Sequence, residues 1–203
     1  MRKLIVLQFM SLDGVVQAPG GPEEDTSDGF KYGGWSFPFW DESSNRVMGE
    51  QMGHPFDLLL GRKTYDIFAG YWPNQKQPPA EQFNKATKYV ASRTLKYPTW
   101  ENTVVLSTDV AQEVKKLKQT DGLELQVHGS GDFIQTLLQN DLVDEMWLKI
   151  FPLTLGKGKR LFGSGAIPAG FKLIYSEVTP SGVIIANYKR EGDIKVGSFA
   201  AEQ

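Results

Sequence analysis

Short apolar runs that end at turn residues mark the first half of the chain. Residues 4–9 form one such run before the turn signal Asp13-Gly14, and residues 57–60 form a second run that ends at Gly61. Runs this short predict buried strands rather than helices. Both segments are therefore predicted to lie in the centre of a sheet.

Helical periodicity alternates with these strands. Residues 41–52 have the pattern of a modest helix, and residues 62–69 predict a short helix that is entered directly from the second strand. Further along, the pattern predicts strands at 88–91, 103–106 and 123–127 and helices that begin near 109 and 133. This alternation is typical of strand-helix-strand units with parallel strands.

The last third of the chain contains strands without helices. Residues 145–151, 172–178 and 183–189 are strand-like with only loops between them, which favours antiparallel pairing. The whole pattern predicts an α/β fold: a mixed, mostly parallel sheet of about eight strands, with helices on both faces and an antiparallel C-terminal part. We expect a single domain over residues 1–190 and a polar tail over 191–203.

The segment between the first strand and the first helix has an unusual composition. Residues 17–34 contain Pro19-Gly20-Gly21-Pro22, the acidic run Glu23-Glu24-Asp25 and further glycines. Such a composition does not favour packing, and it predicts a long mobile loop. Long loops in compact domains are often functional lids.

Composition and charge narrow the classes of function. A formal net charge of -2 and a pI near 5.8 disfavour nucleic acid as a partner and leave a small molecule as the expected ligand. The chain has no cysteine, which excludes thiolate catalysis and cysteine-ligated metal sites and fits a reducing compartment. The sequence has no run of membrane-spanning length, so we expect a cytoplasmic protein with no membrane partner.

Three strand ends carry residues that suit phosphate groups. They are Gly61-Arg62-Lys63-Thr64, Ser92-Arg93 and His128-Gly129-Ser130-Gly131-Asp132. Backbone N–H groups and the helix dipole favour anions at such positions, although each segment alone also fits an ordinary solvated turn. The third segment lacks the spacing of a dinucleotide fingerprint, and a hydrolase that uses Ser130 would need a suitably placed histidine. His54 and His128 are the two histidines of the chain, and we predict no metal site.

Several of these segments together resemble one known pattern. The motifs that carry the resemblance are 11–14 (SLDG), 59–65 (LLGRKTY), 89–94 (YVASRT), 129–131 (GSG) and 152–162 (PLTLGKGKRLF). Their order and intervals resemble the dihydrofolate reductase-like superfamily, and within it the RibD C-terminal domains of riboflavin-biosynthesis enzymes. The resemblance extends over residues 2–190, without a deaminase domain, so the chain is similar to a stand-alone member.

The resemblance implies NADPH bound along the carboxyl edge of the sheet. It places Gly61, Arg62, Lys63 and Thr64 near the pyrophosphate, Ser92 and Arg93 near the adenosine 2′-phosphate, and Gly129, Ser130, Gly131 and Asp132 at a second phosphate-facing corner. Phe9, Met10 and Val16 would line the nicotinamide pocket. It also implies a homodimer through the terminal strands and the loop at 153–162.

The catalytic group is the open point of the resemblance. Asp41 and Glu42 lie near the position where dihydrofolate reductases place a carboxylate, but both also suit a helix start. Lys149 in an apolar strand needs a partner or a ligand, unless it reaches solvent at an edge. Asp13 and Trp40 are candidates for substrate binding, with turn formation and core packing as the alternatives.

These observations lead to two hypotheses about function. The first is an NADPH-dependent reductase that transfers a hydride to a small pyrimidinone- or pterin-like substrate, similar to dihydrofolate reductase and to the 5-amino-6-(5-phosphoribosylamino)uracil reductase of riboflavin biosynthesis. The second is a nucleotide- or ligand-binding module on the same fold that does not catalyse a reaction.

Overall fold

An eight-stranded sheet organises the part of the chain that the structure describes. The structure is a computed structural model, and it describes residues 1–129, 131–163 and 166–199. The strands in this part are β1 (Leu4–Ser11), β2 (Asp57–Gly61), β3 (Lys88–Ala91), β4 (Thr103–Leu106), β5 (Leu125–Val127), β6 (Glu145–Phe151), β7 (Phe171–Val178) and β8 (Ile184–Arg190).

The sheet is mixed and mostly parallel, as the sequence predicted. Its strand order is β4-β3-β2-β5-β1-β6-β8-β7. The strands from β4 to β6 in this order pair in parallel, whereas β8 is antiparallel to both of its neighbours. All parallel strands therefore end at the same edge, where open α/β sheets bind their ligands.

Helices cover both faces of the parallel part. The helices are α1 (Glu42–Met52), α2 (Arg62–Tyr71), α3 (Ala80–Lys85), α4 (Val110–Gln119) and α5 (Gly131–Gln139). On β2, Leu58 and Leu60 pack in one apolar cluster with side chains of α1, α2 and α3, while Leu59 packs in a second cluster with α4 and α5. Alternate residues of a strand point to opposite faces, so a strand with helices on both sides is apolar throughout.

The helix α3 was not predicted from the sequence. It lies in a segment rich in proline and glutamine, and its Phe83 is buried in the same cluster as Leu58 and Leu60. Of the helices in the described ranges, none combines the length and the hydropathy needed to cross a membrane.

The edge strand β7 is largely exposed, and its Leu173, Ile174 and Val178 face solvent. The described part of the tail beyond Arg190 contains neither helix nor strand. Formation of a homodimer through the terminal strands stays a prediction.

A buried ion pair fastens the amino ends of the central strands. The Arg2 guanidinium contacts the Asp57 carboxylate, and both residues are buried. Arg2 Nε also donates to the Leu123 carbonyl at 2.6 Å, and Asp57 Oδ1 accepts from the Thr87 N–H at 3.0 Å. The pair thus joins the segments that precede β1, β3 and β5 to the start of β2.

We predict that Arg2→Met lowers the free energy of unfolding by about 3–5 kcal/mol, because it leaves the Asp57 carboxylate buried without its counter-ion. Urea denaturation measures the change. The control is Lys85→Met, which removes an exposed lysine from the i,i+4 pair with Glu81 and should cost no more than about 0.5 kcal/mol. Equal losses in the two variants would contradict a special role for the buried pair.

Candidate functional site

A large cleft lies along the carboxyl edge of the parallel strands. Its volume is about 1690 Å³. Phe9, Gly61, Ala91 and Gly129, each within two residues of the end of one of these strands, line it. Pockets for single small ligands usually measure roughly 300–1,000 Å³. The cleft therefore has room for two ligands side by side.

The start of α2 forms the first corner of the cleft. Gly61 precedes the helix, and Gly61, Arg62, Lys63 and Thr64 all line the cleft. The first N–H groups of a helix have no acceptor within the helix, and the helix dipole is positive at this end. Arg62 also pairs with Asp66 one turn later, with Nε 2.8 Å from Oδ2. This corner has the chemistry expected of a phosphate site.

The start of α5 forms a second corner beside the first. Gly129, Gly131 and Asp132 line the cleft, whereas Ser130 lies outside the described residues. Gly129 has a φ of +124°, and a Cβ atom there would lie 3.2 Å from Thr64 Oγ1. Glycine thus allows the segment before α5 to approach the first turn of α2 closely, and the two helix starts face one cleft.

The end of β3 presents a hydroxyl and a guanidinium. Ser92 is buried and Arg93 is exposed, and both line the cleft. The Ser92 hydroxyl accepts from the backbone N–H groups of Thr94 and Leu95 at 3.3 and 3.1 Å. Ser92 therefore shapes the turn that carries Arg93.

The loop at 17–34 is packed, so the expectation of a segment that does not pack is wrong. Gln17, Ala18 and Phe30 are buried. The Gln17 side-chain amide donates to the carbonyls of Asp25 and Ser27, each at 3.1 Å, and its backbone carbonyl accepts from Trp35 Nε1 at 2.7 Å. The Gln17 side chain thus provides hydrogen bonds to loop carbonyls that would otherwise bond to water.

The same loop places a carboxylate between Lys63 of the first corner and Lys159, which lies in the loop after β6 and also lines the cleft. Asp25 contacts Lys63, and its Oδ2 lies 3.0 Å from Lys159 Nζ. Burial disfavours the charged form of Asp25, but hydrogen bonds from Lys63, Ser27 and Lys159 outweigh it and hold the pKa of Asp25 below its ordinary value. Neither Asp25 nor Lys159 was predicted from the sequence to be a site residue.

Lys149 lies on the wall of the cleft next to Phe9. The two residues are register partners in β1 and β6, and Lys149 Nζ lies 5.4 Å from the centre of the Phe9 ring. Lys149 is 1% exposed and donates to Gln51 Oε1 at 2.8 Å. Burial lowers its pKa to about 7. It does not reach solvent at an edge, which rules out that alternative.

Further aromatic rings line the same part of the cleft. Trp40 lines the cleft, and its ring centre lies 5.6 Å from that of Phe9. His128 packs against Phe83, and its Nε2 lies 2.9 Å from Gln126 Oε1. Burial, followed by the charge of Lys149, lowers the pKa of His128 to about 3, so the ring is neutral at pH 7. Within the described ranges, no three His, Asp or Glu side chains are grouped as a metal site.

The expected catalytic acids do not lie in the cleft. The α1 residues that line it are Asn45, Met48, Gly49 and Met52, one face of the helix, and neither Asp41 nor Glu42 is among them. Asp41 is the N-cap: Oδ1 accepts from the Ser44 N–H at 2.9 Å, and Oδ2 accepts from the Ser181 hydroxyl at 2.8 Å. The structure therefore corrects the expectation for both acids.

Two other expected residues also lie outside the cleft. The hydrogen bond from Ser11 and those from the Leu155 and Gly156 N–H groups lower the pKa of Asp13 to about 2 and tie it to the loop after β6. Met10 packs in the core with α4 and α5, whereas Phe9 and Val16 do line the cleft. Asp13 is a structural residue, and the side chain of Met10 belongs to the core.

Comparison with known proteins places this architecture in a known group. A family model described as the RibD C-terminal domain matches residues 2–185. The uncharacterized protein YyaP of Bacillus subtilis (strain 168) is 31% identical over 140 residues, which cover 66% of this chain and 74% of that protein.

Solved structures with this fold include three informative examples. A putative riboflavin biosynthesis protein from Shewanella sp. PV-4 is 23% identical, with a TM-score of 0.66 over 93% of this chain and 99% of the other. A pyrimidine reductase-like protein from Corynebacterium diphtheriae is 15% identical, with a TM-score of 0.63 over 95% and 93%. Dihydrofolate reductase from Enterococcus faecalis, complexed with NADP(H) and RAB-propyl, is 14% identical, with a TM-score of 0.59 over 93% and 96%. The fold is dihydrofolate reductase-like.

The lowered pKa of Lys149 predicts a specific dependence of stability on pH. Between pH 7 and the ordinary value of 10.5, the unfolded chain binds a proton that the folded protein does not, so stability rises with pH by up to about 1.4 kcal/mol per unit. Lys149→Met should be more stable than the wild type at pH 7, and this advantage should shrink as the pH rises to 10.5.

Urea denaturation at several pH values measures the difference between the two proteins. Lys88, whose pKa burial lowers to about 8, contributes equally to both and cancels in the difference. Parallel stability curves for the wild type and Lys149→Met would show that Lys149 titrates normally.

Proposed function

The chain belongs to the RibD C-terminal domain family, and we propose that it is an NADPH-dependent reductase that transfers a hydride to a small heterocyclic substrate. One observation carries the proposal. A single cleft brings together the starts of α2 and α5, the exposed Arg93 and the apolar wall around Phe9, with volume left for a second ligand. The substrate in this proposal is pyrimidinone- or pterin-like.

The residues present suit a dinucleotide phosphate. Gly129 leaves free the space beside Thr64 that a Cβ atom would fill, so both helix starts can serve one pyrophosphate. Lys63 and Lys159 supply positive charge there, and the planar guanidinium of Arg93 suits a 2′-phosphate. When bound, NADPH supplies the hydride.

In this proposal the apolar wall holds the reacting rings and excludes water. Phe9 and Val16 line the position of the nicotinamide, and Trp40 packs beside Phe9. Hydride transfer needs a fixed and dry geometry, which these apolar side chains favour. Lys149 Nζ, with a pKa of about 7, holds a proton that it can release near neutral pH. We therefore propose Lys149, rather than Asp41 or Glu42, as the donor of the proton that the substrate takes up along with the hydride.

The second candidate function is a binding module that does not catalyse a reaction. The observation that favours it is the cleft-lining face of α1, which carries Asn45 and no carboxylate. Oxidation of NADPH in the presence of any ring from a panel of pterins and pyrimidinones would exclude this alternative.

We predict that NADPH binds more tightly than NADH and that Arg93→Ala weakens NADPH binding by about tenfold to a hundredfold, because a charge-assisted hydrogen bond to the 2′-phosphate is lost. Isothermal titration calorimetry with both nucleotides measures the effect. Lys96→Ala is the matched control, since Lys96 is an exposed cation in the same loop that does not line the cleft. Failure of either nucleotide to bind would refute the proposed function.

We also predict that Asp25→Asn raises NADPH affinity by roughly tenfold, because a phosphate no longer competes with the carboxylate for Lys63 and Lys159. Glu23→Gln removes the same charge from the same loop and should change the affinity by less than about twofold, because no lysine within the described ranges pairs with Glu23. Equal affinities in the two variants would show that Asp25 does not compete with the nucleotide.

A further inference from the structure

The cleft has an inner half that differs in charge from the phosphate corners. We define the inner half as the part lined by α1, by the segment from Ile67 to Phe83, by His128 and by Lys149. Of the described side chains that line this part, Lys149 is the one that carries a charge in slightly acidic solution. The acidic residues that line the cleft lie elsewhere, in the loop at 17–34, at Asp66 in the second turn of α2 and in the first turn of α5.

Buried hydrogen-bond donors in and beside the inner half lack acceptors. Lys149 Nζ has three N–H groups and donates to Gln51 Oε1. Gln51 Nε2, on the same amide, and Trp72 Nε1 are both buried without a partner in the described part of the chain. A buried donor without an acceptor is unfavourable, so a ligand that brings acceptor atoms to Lys149 and Trp72, which line the cleft, gains binding free energy.

The walls of the inner half suit a flat apolar body. Trp72 stacks on Phe83 with ring centres 4.7 Å apart and an interplanar angle of 5°. Met48 and Met52 line the cleft from α1, Phe9 lies next to Lys149, and Trp40 packs against Phe9. Aromatic rings and methionine side chains favour contacts with planar, polarizable groups.

We infer that the inner half binds a flat ring that carries a carboxylate or enolate group, with the anionic oxygens directed to Lys149, and that it rejects rings with a positive charge. The Lys149 ammonium attracts the anion and repels a cation at the same position, while the apolar walls bind either ring equally. The inference rests on the proposed function in taking this ring as the hydride acceptor; the charge preference itself does not need the nucleotide.

The test uses three probes with the same ring and a planar head group of similar size: 2-naphthoate, 2-naphthamide and 2-naphthamidine. Each is titrated by calorimetry into the wild type, Lys149→Met and Lys149→Arg in a slightly acidic buffer without nucleotide. We expect the wild type to bind the carboxylate at least about tenfold more tightly than the neutral amide, and the cationic amidine most weakly.

The variants distinguish an effect of the Lys149 charge on probe binding from a general disturbance of the fold. Lys149→Met should abolish the preference for the carboxylate and allow the amidine to bind as well as the amide, whereas Lys149→Arg should keep the order of the wild type. Lys88→Met is the control for loss of a buried lysine, because Lys88 is buried outside the cleft, over the Trp100 ring, and should leave the order unchanged.

Three outcomes overturn the inference. These are an amidine that binds the wild type as tightly as the carboxylate, an order that Lys149→Met does not change, and no binding of any probe up to its solubility. A parallel titration of the wild type with NADPH separates this inference from the proposed function. Carboxylate preference without NADPH binding refutes the reductase alone, and NADPH binding without the preference refutes this inference alone.

Discussion

The parallel pairing of β1 with β5 and β6 is the constraint on which the cleft depends. β1 lies between two strands that follow it by more than a hundred residues, and its register sets Phe9 beside Lys149. The same pairing ends β5 at Val127, so that His128 and Gly129 emerge at the edge where Gly61 precedes α2. A shift of one residue would turn each side chain of β6 to the opposite face and remove Lys149 from the cleft.

Most of the sheet follows from local patterns in the sequence. The strands at 88–91, 103–106 and 145–151 have the predicted bounds, because short apolar or alternating runs flanked by turn residues permit few other structures. The helix α3 and the packing of the loop at 17–34 could not be predicted from local patterns. Both depend on distant contacts, such as the stacking of Phe83 on Trp72 and the bonds from Gln17 into the loop, which leave no periodic signal.

In the candidate site, too, local features could be predicted from the sequence and features that depend on distant contacts could not. The glycine-marked corners could be predicted, because a strand end followed by glycine and a helix start is a local feature. The roles of the carboxylates could not be predicted from the sequence. Asp41 bonds to Ser181, 140 residues away, and Asp25 bonds to Lys63 and Lys159, 38 and 134 residues away. A carboxylate near a helix start is equally suited to cap the helix or to bind a ligand, and only these distant partners distinguish the two roles.

The contacts of Asp25 also affect how ionic strength would act on this cleft. A phosphate that binds hydrated lysines releases condensed ions, and its affinity falls as salt is added. Here Lys63 and Lys159 already have a carboxylate partner, so an incoming phosphate exchanges one ion pair for another. Salt weakens both pairs, and the two effects largely cancel. The affinity of the cleft for a phosphate is therefore expected to depend less on ionic strength than that of a site with unpaired lysines.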